Sequence, residues 1–410
     1  MPKQERIAAQ LKLQAKGRLI IICGGPILDF QAGRVKRAPT IFRKLGMEWL
    51  YRLACEPKNC LFDMSLGSES CFLINIQQII GFNKMHKNRD VAVDTLRGLA
   101  CILLVSYHVI GSNYTNGLRI SEGMYRDLND IFVFIRMPLF TFLSGYIYTN
   151  RPFSGNIAIY VNGKTKRLLI PMLVVGTIFA LLQSFVPGSN NSIQNWYLLH
   201  ILPVAHFWFI ESIFLCFIVL IPLEKYKLLS NKIKFSIVFL VSAFLYISNI
   251  DIPYFSISGF IYLFPYFLLG LAVNRFSLVS YVNGATKIFI SCLILGTLFA
   301  IYNDSIGVES TRATLPLIIG CLSCCVLLAY KFESNLLAKI GVYSYSIYLF
   351  HVFFTAGTRI FLSKLGIIDT YILFSFSLIS GVLGAIAIEN VFNKYYVTRI
   401  LMLGKKGKIS

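Results

Sequence analysis

Charged residues are scarce in this sequence of 410 residues. They make up 14% of the chain, against about 25% in soluble proteins, whereas 56% of the residues are hydrophobic. A soluble domain cannot bury that much apolar surface, because most of its exterior must face water. The shortage of charge therefore excludes an ordinary soluble enzyme and a disordered chain, and it indicates a protein that crosses a membrane several times.

Acidic residues are especially few, with 19 Asp and Glu against 39 Lys and Arg, for a net charge of +20. In a soluble protein such a balance suggests nucleic-acid binding. Here the cations stand in short clusters between apolar runs, where they orient a chain in the bilayer. We therefore expect the lipid bilayer as the surroundings of the chain, and no nucleic-acid partner.

The ten cysteines show no disulfide pattern, and many lie inside apolar runs. Cys321 and Cys324 have a CxxC spacing but no second pair of ligands beside them. Packing is the simpler interpretation, and we expect no metal site. Residues 1–18 lack the apolar core of a signal peptide, so we expect the N-terminus in the cytoplasm.

Ten apolar runs lie between residues 92 and 390, several of them near the minimum length of a membrane-spanning helix. If alternate loops face opposite sides, one side carries 20 Lys and Arg and the other carries 4, namely Arg119, Arg126, Arg312 and Lys364. This asymmetry predicts an all-α, polytopic membrane bundle of about ten transmembrane helices with both termini in the cytoplasm.

The first apolar run, residues 92–112, contains a pattern of polar residues that suggests a site. Arg97 and His108 are eleven residues apart, so they share a helix face and lie about 16 Å apart along the axis. Asp94 precedes Arg97 by three residues and is placed to pair with it. Charged groups at membrane depth are costly and usually functional. Alternatively, Arg97 reaches the lipid headgroups and His108 makes a packing hydrogen bond, and the helix alone leaves both interpretations open.

This stretch, RDVAVDTLRGLACILLVSYH, resembles the opening of the membrane acyltransferase 3 family, although Val93 stands where that family usually has Leu. Four further stretches resemble the family in order: RMPLFTFLSGYIYT (136–149), KTKRLLIP (164–171), HFWFIESIF (206–214) and GVYSYSIYLFHVFF (341–354). The resemblance covers residues 89–400. It implies a membrane acyltransferase domain that takes an acyl group from cytoplasmic acyl-CoA, usually acetyl-CoA, and transfers it to a carbohydrate acceptor.

The resemblance also implies roles for the charged residues of the first and third helices. His108 occupies the position of the essential histidine of the family, as a general base or as a covalently acylated nucleophile. Arg97, with Asp94 as its partner, faces the donor in this interpretation. Together with Lys164 and Arg167 it is a candidate for binding the phosphates of coenzyme A.

Further candidates follow from the predicted depth of polar residues in the other helices. We expect Arg136 near the depth of His108, where it would stabilise an oxyanion or bind an acidic sugar. His206, Trp208 and Glu211 open the fourth helix from the same side, and we assign them, with His351, to acceptor binding. Glu211 would orient a histidine, hold a hydroxyl or pair with Arg136. A structural hydrogen bond is the alternative for His351.

The front of the chain resembles a different family, the WecG/TagA/CpsF glycosyltransferases, through DFQAGRVKRAP (29–39) and LGMEWLYRLACEP (45–57). The resemblance implies that residues 1–57 are a truncated, C-terminal fragment of such an enzyme, a small cytoplasmic α/β remnant. Residues 58–88 would be a linker and residues 401–410 a basic tail. An origin beside polysaccharide-assembly genes suggests a bacterial inner membrane and polysaccharide-assembly proteins as partners.

Together these observations predict an O-acyltransferase that moves acetyl from acetyl-CoA to a sugar hydroxyl of a surface exopolysaccharide or its lipid-linked precursor. We expect Arg97 and His108 to face one channel that carries the thioester. Two alternatives stay open. One is a permease for polysaccharides or small anions, in which intramembrane Arg and His line the path. The other is an O-succinyltransferase of the same family.

Overall fold

The computed structural model describes residues 90–185, 196–303, 305, 307 and 310–405. This part of the chain is helical and contains no β-strand, in agreement with the all-α prediction. The helices are α1 (Val91–Ile110), α2 (Met124–Ile131), α3 (Val133–Tyr148), α4 (Ile157–Lys164), α5 (Ile170–Phe185), α6 (Trp208–Lys225), α7 (Lys232–Ile247), α8 (Ile257–Arg275), α9 (Gly284–Tyr302), α10 (Thr314–Ala329), α11 (Asn335–Val342), α12 (Ser344–Lys364), α13 (Thr370–Phe392) and α14 (Tyr396–Leu401).

Helix α1 begins and ends at residues that suit helix termini. The Asp90 side chain accepts a hydrogen bond from the Val93 amide at 3.1 Å, which caps the first turn. The helix stops at Gly111, whose φ of +99° is readily adopted only without a Cβ atom. His108 therefore lies in the last turn of α1.

Fewer than ten of the described helices meet the length and hydropathy expected of a membrane-spanning helix. Six are long and apolar enough to cross a bilayer, or eight if each of two bent pairs counts as one span. Every predicted run coincides with a helix, but α7 and α10 have only 16 residues each. A helix of that length is about 24 Å long, shorter than a hydrocarbon core of about 30 Å. A multi-pass membrane protein is confirmed, whereas ten crossings are not.

The two bent pairs both lead into helices that carry candidate site residues. Helices α2 and α3 meet at 42°, and Arg136 lies in the first turn of α3. Helices α11 and α12 meet at 83°, and His351 lies on α12 two turns beyond the bend. In each pair a short helix of eight residues precedes a longer apolar helix. The bend therefore sets the position at which the longer helix, with its site residue, begins.

Glycines allow the central helices to approach backbone to backbone. A Cβ atom on Gly98 would lie 1.9 Å from the carbonyl oxygen of Leu337, and one on Gly341 would lie 1.9 Å from that of Asp94. Helices α1 and α11 therefore cross so closely that a side chain at either glycine would clash with the facing backbone. Small residues allow such close crossings in membranes. The same reciprocal arrangement joins α3 to α8.

Several predicted segments lie outside the described residues. They include the glycosyltransferase-like fragment at 1–57, the linker at 58–88 and the last five residues of the basic tail, so the α/β remnant stays a prediction. The loop before α6 is described from residue 196 onward. It contains two short 3-10 turns, Trp196–Leu198 and Ala205–Phe207, and the second leads directly into α6.

Candidate active site

Three histidines from distant parts of the chain meet inside the bundle. His108 comes from the end of α1, His206 from the turn before α6, and His351 from α12. The ring centroids are 4.8 Å apart for the pair 108–351, 5.0 Å for 206–351 and 5.4 Å for 108–206. We call this group the histidine cluster. In the described ranges, no group of three or more His, Cys, Asp or Glu side chains is arranged to hold a metal ion.

A strained turn places His206 in the cluster. The preceding residue, Ala205, has a φ of +44°, in the left-handed region that residues other than glycine seldom adopt. The Tyr348 hydroxyl donates a hydrogen bond to the carbonyl oxygen of His206 and so ties the turn to α12. The Nε2 atom of His206 is buried and has no hydrogen-bond partner among the described residues. The backbone is held while this ring nitrogen keeps its hydrogen-bonding capacity.

The backbone of α12 determines the tautomer of His351. Its Nδ1 atom lies 2.7 Å from the carbonyl oxygen of Ile347 and 3.0 Å from that of Tyr348. Because a carbonyl only accepts hydrogen bonds, Nδ1 must carry the proton of the neutral ring, and Nε2 holds the lone pair. Nε2 is buried and has no hydrogen-bond partner in the described part of the chain. His351 is therefore equipped to accept a hydrogen bond within the cluster.

A cavity of about 1340 Å³ reaches the histidine cluster from one end of the bundle. His108 and His206 line this cavity, whereas His351 is fully buried and lies outside its lining. The walls come mainly from the last turns of α1 and the loop at residues 111–119, the second half of α5, the first turns of α3 and α6, and α12 from Tyr348 onward. Two of the three imidazoles thus face a space that is large enough for a carbohydrate.

Arg136 is a buried cation in the wall of the same cavity. Its Nη2 atom donates a hydrogen bond to the carbonyl oxygen of Asn129 at 2.6 Å, and its guanidinium carbon lies 4.0 Å from the centre of the Tyr107 ring. These two contacts hold the guanidinium in place. Arg136 forms no ion pair with another described residue, so its charge is available to an anion or a developing oxyanion.

The two remaining acceptor candidates on α6 have different surroundings. Trp208, the first residue of α6, lines the cavity. Glu211 is buried away from the cavity lining, and one of its carboxylate oxygens accepts a hydrogen bond from the Ser256 hydroxyl. Within the described residues, Glu211 makes neither an ion pair with Arg136 nor a hydrogen bond to a histidine. The predicted contacts of Glu211 with Arg136 and with a histidine are therefore not seen. Ser256 uses one carboxylate oxygen, and the other, Oε1, is buried with no hydrogen-bond partner among the described residues.

Arg97 lies in the first half of α1, whereas the histidine cluster lies at the end of this helix. Arg97 pairs with Asp94 at 3.2 Å, in agreement with their spacing. Neither residue lines the cavity, whose lining on α1 begins at Leu104. Ala100 and Cys101 lie between these levels and are fully buried. The guanidinium of Arg97 and the imidazole of His108 therefore do not line this cavity together, and the expected channel between them stays a prediction.

Lys164 and Arg167 also lie outside the lining of the cavity. A π-helical turn, Thr165–Leu169, joins α4 to α5; Lys164 directly precedes this turn and Arg167 lies within it. The ammonium nitrogen of Lys164 lies 3.3 Å from the centre of the Phe217 ring, whereas Arg167 is exposed. The assignment of these two residues to donor binding stays a prediction.

A further histidine, His200, lies in the loop before α6 and outside the cavity lining. Its Nε2 atom is 3.0 Å from the Thr177 hydroxyl, which itself donates to the carbonyl oxygen of Leu173 at 2.8 Å. The hydroxyl proton is thus already used, so His200 donates through Nε2. Burial lowers the pKa of His200 below its ordinary value.

Not every polar residue at the cavity stands out in the sequence. Tyr107 and Tyr348 carry no signal of their own, because the sequence contains 22 tyrosines. Arg359 lines the cavity from α12 and does carry a signal, since a guanidinium within an apolar helix is costly and usually functional.

Comparison with known families assigns the two parts of the chain differently. A family model described as an acyltransferase domain, acyltransferase 3, matches residues 90–390, which is more than half of the chain. A second model, the glycosyl transferase WecG/TagA/CpsF family, matches residues 1–82. That similarity extends past residue 57, into the segment predicted as a linker. No solved structure shows a significant match to the chain.

Proposed function

The chain belongs to the acyltransferase 3 family, and from this premise we propose that it transfers acetyl from acetyl-CoA to a sugar hydroxyl of a surface polysaccharide or its lipid-linked precursor. The observation that carries the proposal is the histidine cluster at the cavity. There His108 and His206 face the space, and His351 lies outside the cavity lining with its Nε2 lone pair unused by the described residues.

In the proposed reaction, His108 acts as the general base toward the acceptor. A sugar hydroxyl in the cavity gives its proton to the neutral imidazole, and its oxygen attacks the carbonyl carbon of the thioester. The tetrahedral intermediate then breaks its carbon–sulfur bond, and the thiolate of coenzyme A takes the proton back from His108. The products are the sugar ester and free coenzyme A, and His108 is regenerated.

Arg136 has the geometry to stabilise the negative charge that this attack creates. Its guanidinium is buried in the cavity wall and is fixed by Asn129 and by the face of the Tyr107 ring. A preorganised cation in a place with little water stabilises an oxyanion far more than the same group in solution. We therefore assign Arg136 to the oxyanion rather than to ground-state binding.

The proposed donor site lies at the other part of α1. Arg97, paired with Asp94, would bind phosphate groups of coenzyme A together with Lys164 and Arg167. The eleven residues between Arg97 and His108 correspond to about 16 Å along the helix, which the long flexible arm of the donor has to bridge. Ala100 and Cys101, which lie between these two levels of α1, are fully buried.

The cellular setting belongs to the same proposal. The protein lies in a bacterial inner membrane with both termini in the cytoplasm. The acyl donor enters from the cytoplasmic side, and the acceptor reaches the cavity from the opposite side of the membrane. The similarity of residues 1–82 to a glycosyltransferase family supports a carbohydrate acceptor and polysaccharide-assembly proteins as partners.

A transfer assay in nanodiscs tests the proposal. Purified protein is given [14C]acetyl-CoA and glycan extracted from cells of the producing bacterium, and both alkali-labile label on the glycan and released thiol are measured. The wild-type protein should produce both, and His108→Ala should produce neither. The matched control is His200→Gln, which changes a histidine outside the cavity and should retain transfer. Transfer by His108→Ala at the wild-type rate would contradict the proposed base.

The same assay separates the two alternatives. Succinyl-CoA in place of acetyl-CoA tests the O-succinyltransferase, because only the favoured donor should give an ester at low concentration. A permease would release no thiol from either donor and would leave the glycan unlabelled.

A further inference from the structure

The charged residues that line the cavity are all cations. Within the described residues its lining contains Arg119, Arg136, Arg359 and Lys364, and it contains no Asp or Glu. Arg136 is the one beside the histidine cluster. The other three come from the loop after α1 and from the last two turns of α12, at the end of the bundle from which the cavity is reached. We call these three residues the cationic mouth.

Arg359 is an unusual residue to find without a counter-ion. It lies on the apolar helix α12 and is partly buried, which is costly for a guanidinium at membrane depth. In the described part of the chain it forms no ion pair. A second guanidinium, that of Arg119, lines the same cavity. Cations that share one cavity without counter-ions are stabilised by an anion that binds there.

The backbone of the loop keeps Arg119 at this position. Its φ is +58°, in the left-handed region that residues other than glycine rarely adopt. The backbone amide of Arg119 donates a hydrogen bond to the carbonyl oxygen of Asn116 at 3.1 Å, within a tight turn that follows α1. Arg119 thus adopts a strained backbone conformation and forms no ion pair among the described residues. Strain without such a gain in stability indicates a functional position.

Cations are scarce in the loops at this end of the bundle. Under the predicted topology, the loops on this side carry only four Lys and Arg. Two of these have structural partners. Arg126 donates to the carbonyl oxygen of Gly111 at 3.1 Å, and Arg312 donates to that of Ser258 at 2.8 Å. The other two, Arg119 and Lys364, both belong to the cationic mouth.

We propose that the cationic mouth is an anion subsite that holds an acidic group of the acceptor, a sugar carboxylate or a phosphate of a lipid carrier, while a hydroxyl of the same acceptor reaches His108. This inference rests on the proposed acyl transfer and names the class of acceptor. Guanidinium groups bind carboxylate and phosphate through paired hydrogen bonds, and the ammonium of Lys364 adds a third cation.

The distance along α12 fits such an acceptor. Arg359 follows His351 by eight residues, which corresponds to about 12 Å along the helix. His351 in turn touches His108 through their rings, at 4.8 Å between centroids. The acid and the reacting hydroxyl are thus separated by more than one sugar ring, and the cavity of about 1340 Å³ has room for that length.

Direct binding measurements test the subsite without any need for turnover. Calorimetric titrations of the purified protein in nanodiscs use methyl glucuronide, inorganic pyrophosphate and the neutral methyl glucoside. We expect the wild-type protein to bind at least one anion about tenfold more tightly than the glucoside, which corresponds to about 1.4 kcal/mol. The anion that binds more tightly identifies a sugar carboxylate or a carrier phosphate as the source.

Matched variants locate the binding to the mouth. The double variant Arg119→Gln with Arg359→Gln should lose the tenfold preference, whereas Arg119→Lys with Arg359→Lys should keep most of it and shows that the fold tolerates change there. Lys232→Gln removes an exposed cation from the start of α7 and should bind like the wild type. Equal binding of the glucoside and the anions, or a preference that survives the double Gln variant, would overturn the subsite.

The transfer assay keeps this inference separate from the proposed function. If the anions bind at the mouth but no acetyl is transferred, the acyl-transfer proposal fails and the anion subsite stands. If acetyl is transferred to neutral glycan and no anion binds, the subsite alone fails.

Discussion

The imidazoles of His108 and His351 lie with their centroids 4.8 Å apart, although they come from the first and the twelfth described helix. His108 faces the cavity, and His351 lies outside its lining with its Nδ1 proton committed to two carbonyl oxygens. The Nε2 lone pair of His351 has no hydrogen-bond partner among the described residues, so it is available to an N–H of a neighbouring ring. If His108 donates that N–H, its other nitrogen is left unprotonated, as a base toward the acceptor requires.

The first prediction concerns His351 as a positioning residue. His351→Phe removes the acceptor nitrogen and should lower kcat for acetyl transfer by about 10² or more, while KM for acetyl-CoA changes little. If His351 accepts the N–H of His108 during turnover, the pH dependence of kcat should also shift, because His108 then loses the acceptor that selects its tautomer. His200→Gln serves as the control variant. A wild-type kcat with an unchanged pH profile would show that His351 only fills space.

Much of the fold follows from local properties of the sequence. Ten apolar runs coincide with helices because, in lipid, each segment must satisfy its backbone hydrogen bonds internally. Their boundaries were set by residues such as Asp90, which caps α1, and Gly111, which ends it. The number of crossings does not follow, because bends such as the one of 83° between α11 and α12 depend on packing between helices.

The site could be predicted only in part. His108 and its spacing from Arg97 mark α1, because a polar residue in an apolar run stands out in the sequence. That His206 and His351 meet His108 depends on how three distant segments pack, and no local pattern encodes it. The hydrogen bond between Glu211 and Ser256 could not be predicted for the same reason, since Ser256 is 45 residues away along the chain.

The second prediction concerns the charge and the shape of Arg136. Arg136→Met should lower kcat by about 10²–10³, because a fixed donor to the oxyanion is lost. Arg136→Lys keeps the charge but loses the planar group that lies 4.0 Å from the centre of the Tyr107 ring, so we expect an intermediate kcat. Steady-state kinetics with acetyl-CoA measure both. Equal rates for Arg136→Met and the wild type would exclude Arg136 from the transition state.

The third prediction concerns the crossing of α1 and α11. Gly98→Ala places a Cβ atom 1.9 Å from the carbonyl oxygen of Leu337, so the helices must separate. We expect a loss of stability of about 1–3 kcal/mol, seen as a lower unfolding temperature in detergent. Gly296→Ala on α9 is the control, since its Cβ would meet nothing within 4 Å. Similar melting of the two variants would show that the crossing is loose.

The fourth prediction uses the lowered pKa of His200. Because the unfolded chain binds a proton at this histidine more readily than the folded protein does, stability should fall as the pH drops below the ordinary histidine pKa of about 6.5. His200→Gln keeps an amide donor for Thr177 but does not titrate. Its unfolding temperature should therefore fall less than that of the wild type between about pH 7.5 and 5.5. Identical acid sensitivity would contradict the assigned shift.

The last prediction tests Arg97 as a donor ligand. Arg97 is 29% exposed and binds the buried Asp94 at 3.2 Å, so its guanidinium is oriented without being fully enclosed. If it binds a phosphate of acetyl-CoA, Arg97→Gln should raise KM for the donor about tenfold and leave KM for the acceptor unchanged. Arg97→Lys preserves the ion pair with Asp94 and should show a smaller rise, which separates donor binding from loss of stability. Lys232→Gln again controls for net charge. A donor KM that is the same in all four proteins would remove Arg97 from the donor site and favour a permease, because a transport path requires no site for coenzyme A.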